Sequence, residues 1–361
     1  MTRLALLLLV LLSGLTIGPS ARGQYIWVNL SFKAVLNPTN GMRYYNFNET
    51  DIDSTINRAN SFLAAYLRGY RFRRAEPIRN VGGVGDVTGP SKWYSVNPRE
   101  KNLAAGDWDN RKQMEMEAFA AQAIYAWNPN AINYYIVAGY GVPPQDAGDC
   151  AFPSGNNHLI ELGTVNNPYT LLHETGHYFE LYHTQGSCDC KRNNQGCTLT
   201  NGFWAGNDDA TGYRITDTLS DSECFTQDTL ARANFNKPYA TCTAGEITLV
   251  DDTFFNIMSY HPGVAQVRMT ELQLDKWTDF ANGARAAVSS GRTRFVSPGG
   301  ANSGGGTTST TPLRTVMFAQ TVATPARDVV LLRPGNYNEQ LTLDKPLTVR
   351  ATRGGWATIG K

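Results

Sequence analysis

The sequence is short of several features that would assign a protein to a class at once. Its 361 residues carry 32 basic and 31 acidic side chains, and a net charge of +1 gives no reason to expect a nucleic acid or an anionic membrane as partner. Histidine is scarce, at five residues, and no EF-hand spacing is present. The 42% of hydrophobic residues is ample for a core, and the length allows one large domain with additional material.

Long apolar runs are also missing, except at the N-terminus. A basic residue precedes the apolar stretch 4–12, and small residues follow it as far as Gly23. This pattern predicts a secretory signal peptide over residues 1–23, with cleavage before Gln24. The alternative is a retained membrane anchor, which the short stretch disfavours. We therefore expect a secreted, extracellular protein with no membrane span after signal cleavage.

The cysteines are confined to the middle of the chain. They are Cys150, Cys188, Cys190, Cys197, Cys224 and Cys242. An even number in an exported chain predicts disulfide bonds, although the pairing cannot be read from the sequence. Most lie in the range 184–252, which is poor in periodic apolar runs and is predicted to be a long loop that needs such staples. The alternative is a second metal site at Cys188, Cys190 and Cys197.

The same range is rich in carboxylates. They are Asp208, Asp209, Asp217, Asp221, Asp251 and Asp252. Oxygen-rich loops of exported proteins often bind calcium, so Ca²⁺ is a candidate ligand here. A solvated polar loop is an equally good interpretation.

The most informative segment contains three of the five histidines within eleven residues, at His173, His177 and His183. Asn167 can cap a helix over residues 168–179, which places His173 and His177 on one face because they are four residues apart. His183 can join them only if the chain turns after about Phe179. Three protein ligands with one open position are typical of a catalytic zinc site, so we expect one Zn²⁺. The alternative is a pair of core-facing histidines on an amphipathic helix.

This segment resembles the zinc-binding motif of the metzincin metallopeptidases, HExxHxxGxxH. The run 256–260 (Asn-Ile-Met-Ser-Tyr) is similar to the methionine turn of that clan. The pappalysin-like family is the best fit, since the chain also resembles it at 177–184, at 216–218 and at 268–273. The resemblance covers roughly residues 50–282. It implies an α+β metzincin-like zincin domain, with a mixed sheet and an active-site helix.

The resemblance also implies roles for individual residues. Glu174 would be the general base of a zinc-dependent hydrolysis. Tyr260 would hydrogen-bond the developing oxyanion, although an ordinary buried tyrosine is an equally good interpretation. Met258 would form an apolar floor under the metal without touching it. Because no cysteine precedes Cys150, a cysteine-switch form of latency is excluded.

One residue departs from the family pattern. Glu180 occupies the position of the metzincin glycine, where the backbone usually adopts a left-handed conformation that costs a non-glycine residue on the order of 1 kcal/mol. We interpret Glu180 as a tolerated turn residue. The alternative is an additional catalytic acid.

The remaining scaffold is predicted from periodicity. Residues 51–68 and 110–126 have helical spacing of apolar side chains, whereas 131–138 and 158–162 read as strands. In metzincins the strand before the zinc helix is an edge strand that pairs with the substrate. The resemblance assigns this part to 158–162.

These observations divide the chain into parts. After the signal peptide we expect an N-terminal segment, 24–50, that is a candidate pro-segment, and a metallopeptidase domain over 51–288. The Gly, Ser and Thr of 289–312 predict a flexible linker. The range 313–361 contains short strands that resemble the opening coils of a parallel β-helix, although a solenoid needs several coils to bury its core.

The sequence therefore predicts a secreted zinc endopeptidase acting on protein or peptide substrates. Two alternatives stay open. One is a catalytically impaired binding protein that keeps the zinc fold. The other is a surface or carbohydrate-binding protein that acts through its β-rich tail. No feature of the sequence indicates an oligomeric state.

Overall fold

The computed structural model describes residues 25–66, 68–102, 108–141, 147–150, 158–186, 215–222, 225–261, 266–353 and 355–360. The predicted signal peptide and four of the six cysteines (Cys188, Cys190, Cys197 and Cys224) lie outside the described residues, as do Asp208 and Asp209. No helix in the described ranges is both long and apolar enough to cross a bilayer.

Helices and short strands alternate along the chain. In order they are β1 (Ile26–Val35), α1 (Glu49–Ala64), β2 (Tyr70–Arg74), β3 (Arg79–Val81), β4 (Lys101–Asn102), β5 (Trp108–Asp109), α2 (Asn110–Ala120), β6 (Ile132–Ile136), β7 (Gly148–Cys150), β8 (Leu159–Leu162), α3 (Pro168–Tyr178), β9 (Gln185–Gly186), β10 (Asp221–Ser222), α4 (Gln227–Phe235), α5 (Ala244–Phe254), α6 (Glu271–Asn282), β11 (Thr293–Val296), α7 (Val316–Val322), β12 (Val329–Leu332), β13 (Gly335–Tyr337), β14 (Thr348–Ala351) and β15 (Ala357–Ile359).

The main sheet has the strand order β2-β1-β6-β8-β7, and β3 also pairs with β1. All neighbours are parallel except β7, which runs antiparallel to β8 at the edge of the sheet. One face of the sheet shares a hydrophobic core with α1, α3 and α6, and the other face packs against α2. The prediction of an α+β domain with a mixed sheet is confirmed.

Local signals fix where the first helices begin. Asn48 caps α1 and forms a capping box with Asp51, and Asp109 caps α2. The helix predicted over 51–68 ends at Ala64, and the one predicted over 110–126 ends at Ala120. Both exist, but both stop several residues earlier than apolar spacing suggests. Ala121, which follows α2, leaves helical geometry at ψ +50°.

The range 184–252 is not the continuous loop that its composition predicts. It contains α4 and most of α5, which pack on each other around Leu230, Ala231 and Val250. Each helix starts at a threonine with a capping box, Thr226 for α4 and Thr243 for α5. These caps outweigh the weak apolar periodicity of the segment.

A domain boundary at residue 51 does not fit this arrangement. Strand β1 falls within the range 24–50. It lies between β2 and β6 in the main sheet, and eight of its ten residues are buried. Removing a separate pro-segment up to residue 50 would take a central strand out of the sheet. The segment therefore belongs to the main domain.

The range 289–312 likewise does not fit a flexible linker, because it contains β11. Strands β11, β12 and β14 form a parallel sheet, and β13 pairs in parallel with β15. The tail also packs on the main domain, since Val329 of β12 belongs to the main core. The Asn282 amide at the end of α6 donates to the carbonyl oxygens of Thr293 and Thr307, at 2.9 and 2.7 Å. The tail is thus seated on α6.

Lys33 is a charged side chain in the centre of the sheet. It is fully buried, its ammonium donates to Ser31 Oγ at 2.6 Å and to Asn133 Oδ1, and burial lowers its pKa to about 7. The unfolded chain has the ordinary lysine pKa and binds the proton more tightly. The folded state is therefore penalised most at neutral and lower pH, and the penalty shrinks as the pH rises above 7.

We expect the free energy of unfolding to increase by roughly 2 kcal/mol between pH 7 and pH 9 because of Lys33. In Lys33→Met the titrating group is gone, while Asn133 Oδ1 keeps the backbone N–H of Asn128 at 2.8 Å. When the free energy of unfolding is measured with urea at both pH values, it should therefore change less with pH in the variant than in the parent. The same change with pH in parent and variant would contradict this.

Candidate metal centre

Three imidazoles meet at the C-terminal half of α3. Their Nε2 atoms are separated by 3.1 Å between His173 and His177, 3.2 Å between His173 and His183, and 3.0 Å between His177 and His183. Histidine, cysteine and carboxylate side chains are the usual metal ligands. Among those that the structure describes, these three histidines form the cluster that could hold a metal ion. The three histidines singled out in the sequence thus come together.

The local sequence explains how the helix and the turn form. The Asn167 side chain accepts from the first backbone N–H groups of α3, and Pro168 takes the first helical position. The helix ends at Tyr178, and Glu180 adopts φ +70°. The predicted turn after Phe179 is confirmed, and it returns His183 to the face that carries the other two histidines.

Backbone carbonyl groups hold two of the rings. His173 Nδ1 lies 2.6 Å from the Ile257 oxygen, and His177 Nδ1 lies 2.7 Å from the Leu181 oxygen. Each Nδ1 therefore carries the proton and donates it, which leaves the Nε2 lone pairs facing one another. Burial lowers the pKa of His173 to about 4 and that of His177 and His183 well below the usual range. Neutral nitrogen donors crowded in this way suit Zn²⁺.

The methionine turn lies directly beneath α3. A Cβ atom on Gly176 would come 2.5 Å from Met258 Sδ, so the helix and the turn are in contact where glycine leaves room. Met258 is completely buried, and its carbonyl oxygen accepts from Thr184 N at 3.0 Å. The turn thus supports His173 through Ile257 and the chain beside His183 through Met258.

Glu174 is buried next to the histidines. The backbone N–H of Cys150 donates to its carboxyl group, and Oε2 has no hydrogen-bond partner among the described atoms. Burial, followed by the charge of Asp149, raises the pKa of Glu174 to about 8. A Cβ atom on Gly148 would lie 2.6 Å from Glu174 Cγ, so β7 approaches the carboxyl closely because it carries glycine at that position.

Tyr260 covers the centre on the solvent side. It is 43% exposed, and its ring centroid lies 5.2 Å from that of His173 and 4.4 Å from that of His183. The alternative of an ordinary buried tyrosine therefore does not fit. Its place over the imidazoles puts it within the cleft that leads to them.

A cleft of about 390 Å³ opens above the histidines. It is lined by Arg99, Ala147, Gly148, Asn167, Tyr169, Thr170, His173, Glu174, Tyr260 and Gln266. The strand that borders it is β7. The assignment of the edge strand to 158–162 is wrong, because β8 is paired on both sides. Among the described strands of this sheet, β7 is the one at that edge. A three-residue strand of Gly, Asp and Cys has no apolar alternation that could have revealed it.

The other candidate ligands have protein partners. His261 is fully buried with Nε2 at 3.1 and 3.2 Å from the two Asp221 oxygens, and Asp221 also accepts from Thr184 Oγ1 at 2.9 Å. Asp251 accepts from the side chains of Gln227 and Tyr239. Calcium at these positions stays a prediction. Among the described residues Cys150 and Cys242 carry free thiols, and disulfide bonds stay a prediction.

Sequence reasoning missed the groups that surround the ligands. They are Gly148, the backbone N–H of Cys150 and the backbone carbonyl of Ile257. Each is brought to the centre by the fold over a long sequence separation. No periodicity or spacing rule signals such a contact.

The fold and the centre together define an α+β protein with a buried three-histidine cluster able to hold a metal ion. Among solved structures it is similar to mature mirolysin of Tannerella forsythia in complex with a cleaved peptide, with a TM-score of 0.39 and 17% identity, over 75% of this chain and 96% of that chain. Neither a protein-family model nor a curated protein matches the sequence. The chemistry of the centre is therefore inferred from its own residues.

Proposed function

We propose that this protein is a secreted zinc-dependent endopeptidase that hydrolyses peptide bonds in protein or peptide substrates. The observation that carries the proposal is the convergence of three neutral Nε2 atoms beside the buried carboxyl of Glu174, at the base of an open cleft. Zinc, when bound by His173, His177 and His183, would acidify water and polarise the scissile carbonyl.

The residues around the zinc position have separate tasks in this proposal. The charge of bound zinc would lower the raised pKa of Glu174, so that its carboxylate could take a proton from the attacking water through Oε2 and pass it to the leaving amine, while the N–H of Cys150 holds the carboxyl group. The Tyr260 hydroxyl donates a hydrogen bond to the developing oxyanion and keeps its proton. The substrate lies extended along β7, the outermost described strand of the main sheet, where main-chain hydrogen bonds would recognise any peptide backbone.

The test is a zinc count and a cleavage assay on the purified chain. We expect about one zinc per molecule. Cleavage of a denatured, alkylated protein should be abolished by a chelator and restored by added Zn²⁺. Zinc binding without any cleavage would favour the binding-protein alternative. A chain that holds no zinc would remove the basis of both.

Gly148→Ala should disturb the general base, Glu174, without affecting zinc binding. The added methyl group would meet Glu174 Cγ at 2.6 Å and displace the carboxyl group, whereas the imidazoles are untouched. We expect cleavage to fall about a hundredfold, because small misplacements of a catalytic group have effects of that size. The zinc content should stay that of the parent.

Gly83→Ala is the matched control, because a Cβ atom there meets nothing within 4 Å. It should cleave as the parent does. Full activity in Gly148→Ala would show that Glu174 tolerates displacement and is not the base.

A further inference from the structure

Glu180 stands at the turn between the second and third histidines with a left-handed backbone, φ +70°. Its N–H donates to the His177 oxygen at 2.9 Å, and the next residue, Leu181, supplies the carbonyl that holds His177 Nδ1. The conformation of this one residue therefore determines both the orientation of His177 and the direction of the chain towards His183.

The Glu180 side chain is held by Arg285, which follows α6. Arg285 Nη2 lies 3.2 Å from Glu180 Oε1, and Arg285 Nε donates to the Tyr178 oxygen at 3.2 Å. The guanidinium also lies over the Tyr178 ring, 5.0 Å from its centroid. The Arg285 side chain thus contacts both Tyr178, the last residue of α3, and Glu180, the residue with the left-handed backbone.

The burial of this pair makes its two members interdependent. The Arg285 side chain is 1% exposed and that of Glu180 is 11% exposed. Removing Glu180 leaves the buried Arg285 cation without this carboxylate, which is more costly than losing an exposed ion pair. A glycine at 180 would allow the same backbone angle but would have no side chain to anchor, and it would leave the turn freer.

We propose that Glu180 and Arg285 are positioning residues that lock this turn so that His177 and His183 point at the metal. In this chain the buried ionic contact fixes the conformation of the turn, which a glycine at position 180 would leave free to vary. The inference rests on the proposed zinc site. It concerns how the ligands are held and gives Glu180 no part in proton transfer.

The experiment compares zinc affinity with the stability of the metal-free chain in Glu180→Ala, Arg285→Met and the double variant. Outer-sphere contacts to metal ligands typically change affinity ten- to a hundredfold, so we expect each single variant to raise the zinc Kd by about that factor. The double variant should lose less than the sum of the two single losses, because both variants break the Glu180–Arg285 contact. With Co²⁺ as probe, the visible absorption should change as the histidine geometry changes.

Arg294→Met is the matched control. Arg294 forms a buried ion pair with Asp328 in the tail, with Nη2 to Oδ2 at 2.7 Å. This variant should lower the melting temperature of the metal-free chain but leave the zinc Kd and the Co²⁺ spectrum unchanged. It therefore separates a general loss of stability from an effect on the ligands.

Three outcomes decide the inference. Variants that melt earlier but bind zinc as the parent does would make the pair merely structural and overturn it. If Glu180→Ala does not fold, Glu180→Gln keeps the shape without the charge, and a parental Kd in that variant would also overturn it. A parent chain that binds no zinc would instead remove the proposed function itself.

Discussion

Replacing Glu174 by glutamine should leave the zinc content unchanged and lower peptide-bond cleavage about a thousandfold, the range expected for loss of a general base. Glutamine keeps the size of the side chain, and its oxygen can still accept from the N–H of Cys150. It cannot take a proton from water. The buried site should therefore keep its shape and lose only the proton transfer.

Glu161 offers an unusually close control for this variant. It lies in β8, is 2% exposed, and burial raises its pKa to about 8, as for Glu174. It is not among the described residues that line the cleft. Glu161→Gln should therefore cleave as the parent does, when both variants are assayed with equal zinc occupancy. If both variants lost cleavage activity equally, the loss in Glu174→Gln would come from changing a buried carboxyl group and not from removing a group that contacts the reacting atoms.

Asp275→Ala should destabilise the whole chain by about 3 kcal/mol, the low end of the usual cost of breaking a buried ion pair from one side, because Arg68 keeps a second partner in Glu271 Oε2 at 2.6 Å. Asp275 lies on α6, where Oδ1 accepts from Arg68 Nη1 at 2.8 Å and Oδ2 accepts from Arg333 Nη2. Its side chain is 3% exposed, as is that of Arg68. One carboxylate therefore contacts two cations, one from the main domain and one from the tail.

Arg333→Met provides the comparison in urea unfolding. Arg333 is 22% exposed, and its removal leaves Asp275 paired with Arg68. We expect a loss of about 1 kcal/mol, that of an ordinary hydrogen-bonded contact. A loss in Asp275→Ala no larger than this would show that solvent reaches the pair and that the tail is only loosely seated.

The centre was predictable because its signals are local. The cap at Asn167, the spacing of His173 and His177, and the requirement for a turn before His183 all follow from eighteen consecutive residues, 167–184. The α+β class followed from the resemblance and from periodic segments. The helices α1 and α2 were found in the right places because each carries an apolar stripe, although apolar spacing does not mark where a helix stops.

What the sequence hid depends on pairings between distant segments. β11 lies in a stretch rich in Gly, Ser and Thr, so composition suggests a linker. Its partner is β12, in which Val329 pairs with Thr293, 36 positions earlier. β1 could be taken for part of a pro-segment because nothing local shows that β2 and β6 will flank it. The ion pair of Glu180 with Arg285 spans 105 positions. Such contacts are properties of the folded chain and have no local signature.

The carbonyl groups of Ile257 and Leu181 that hold His173 and His177 have a consequence for metal uptake. The two rings are already oriented by bonds within the protein, so their rotational freedom is lost when the chain folds and not when the ion arrives. The metal-free chain therefore has a preorganised binding site. In a zinc finger, by contrast, the ligands come together only when the ion binds. The rate of metal uptake should then depend on diffusion of the ion to the site and on the loss of its bound water. A sample stripped of metal by a chelator should bind metal again without refolding.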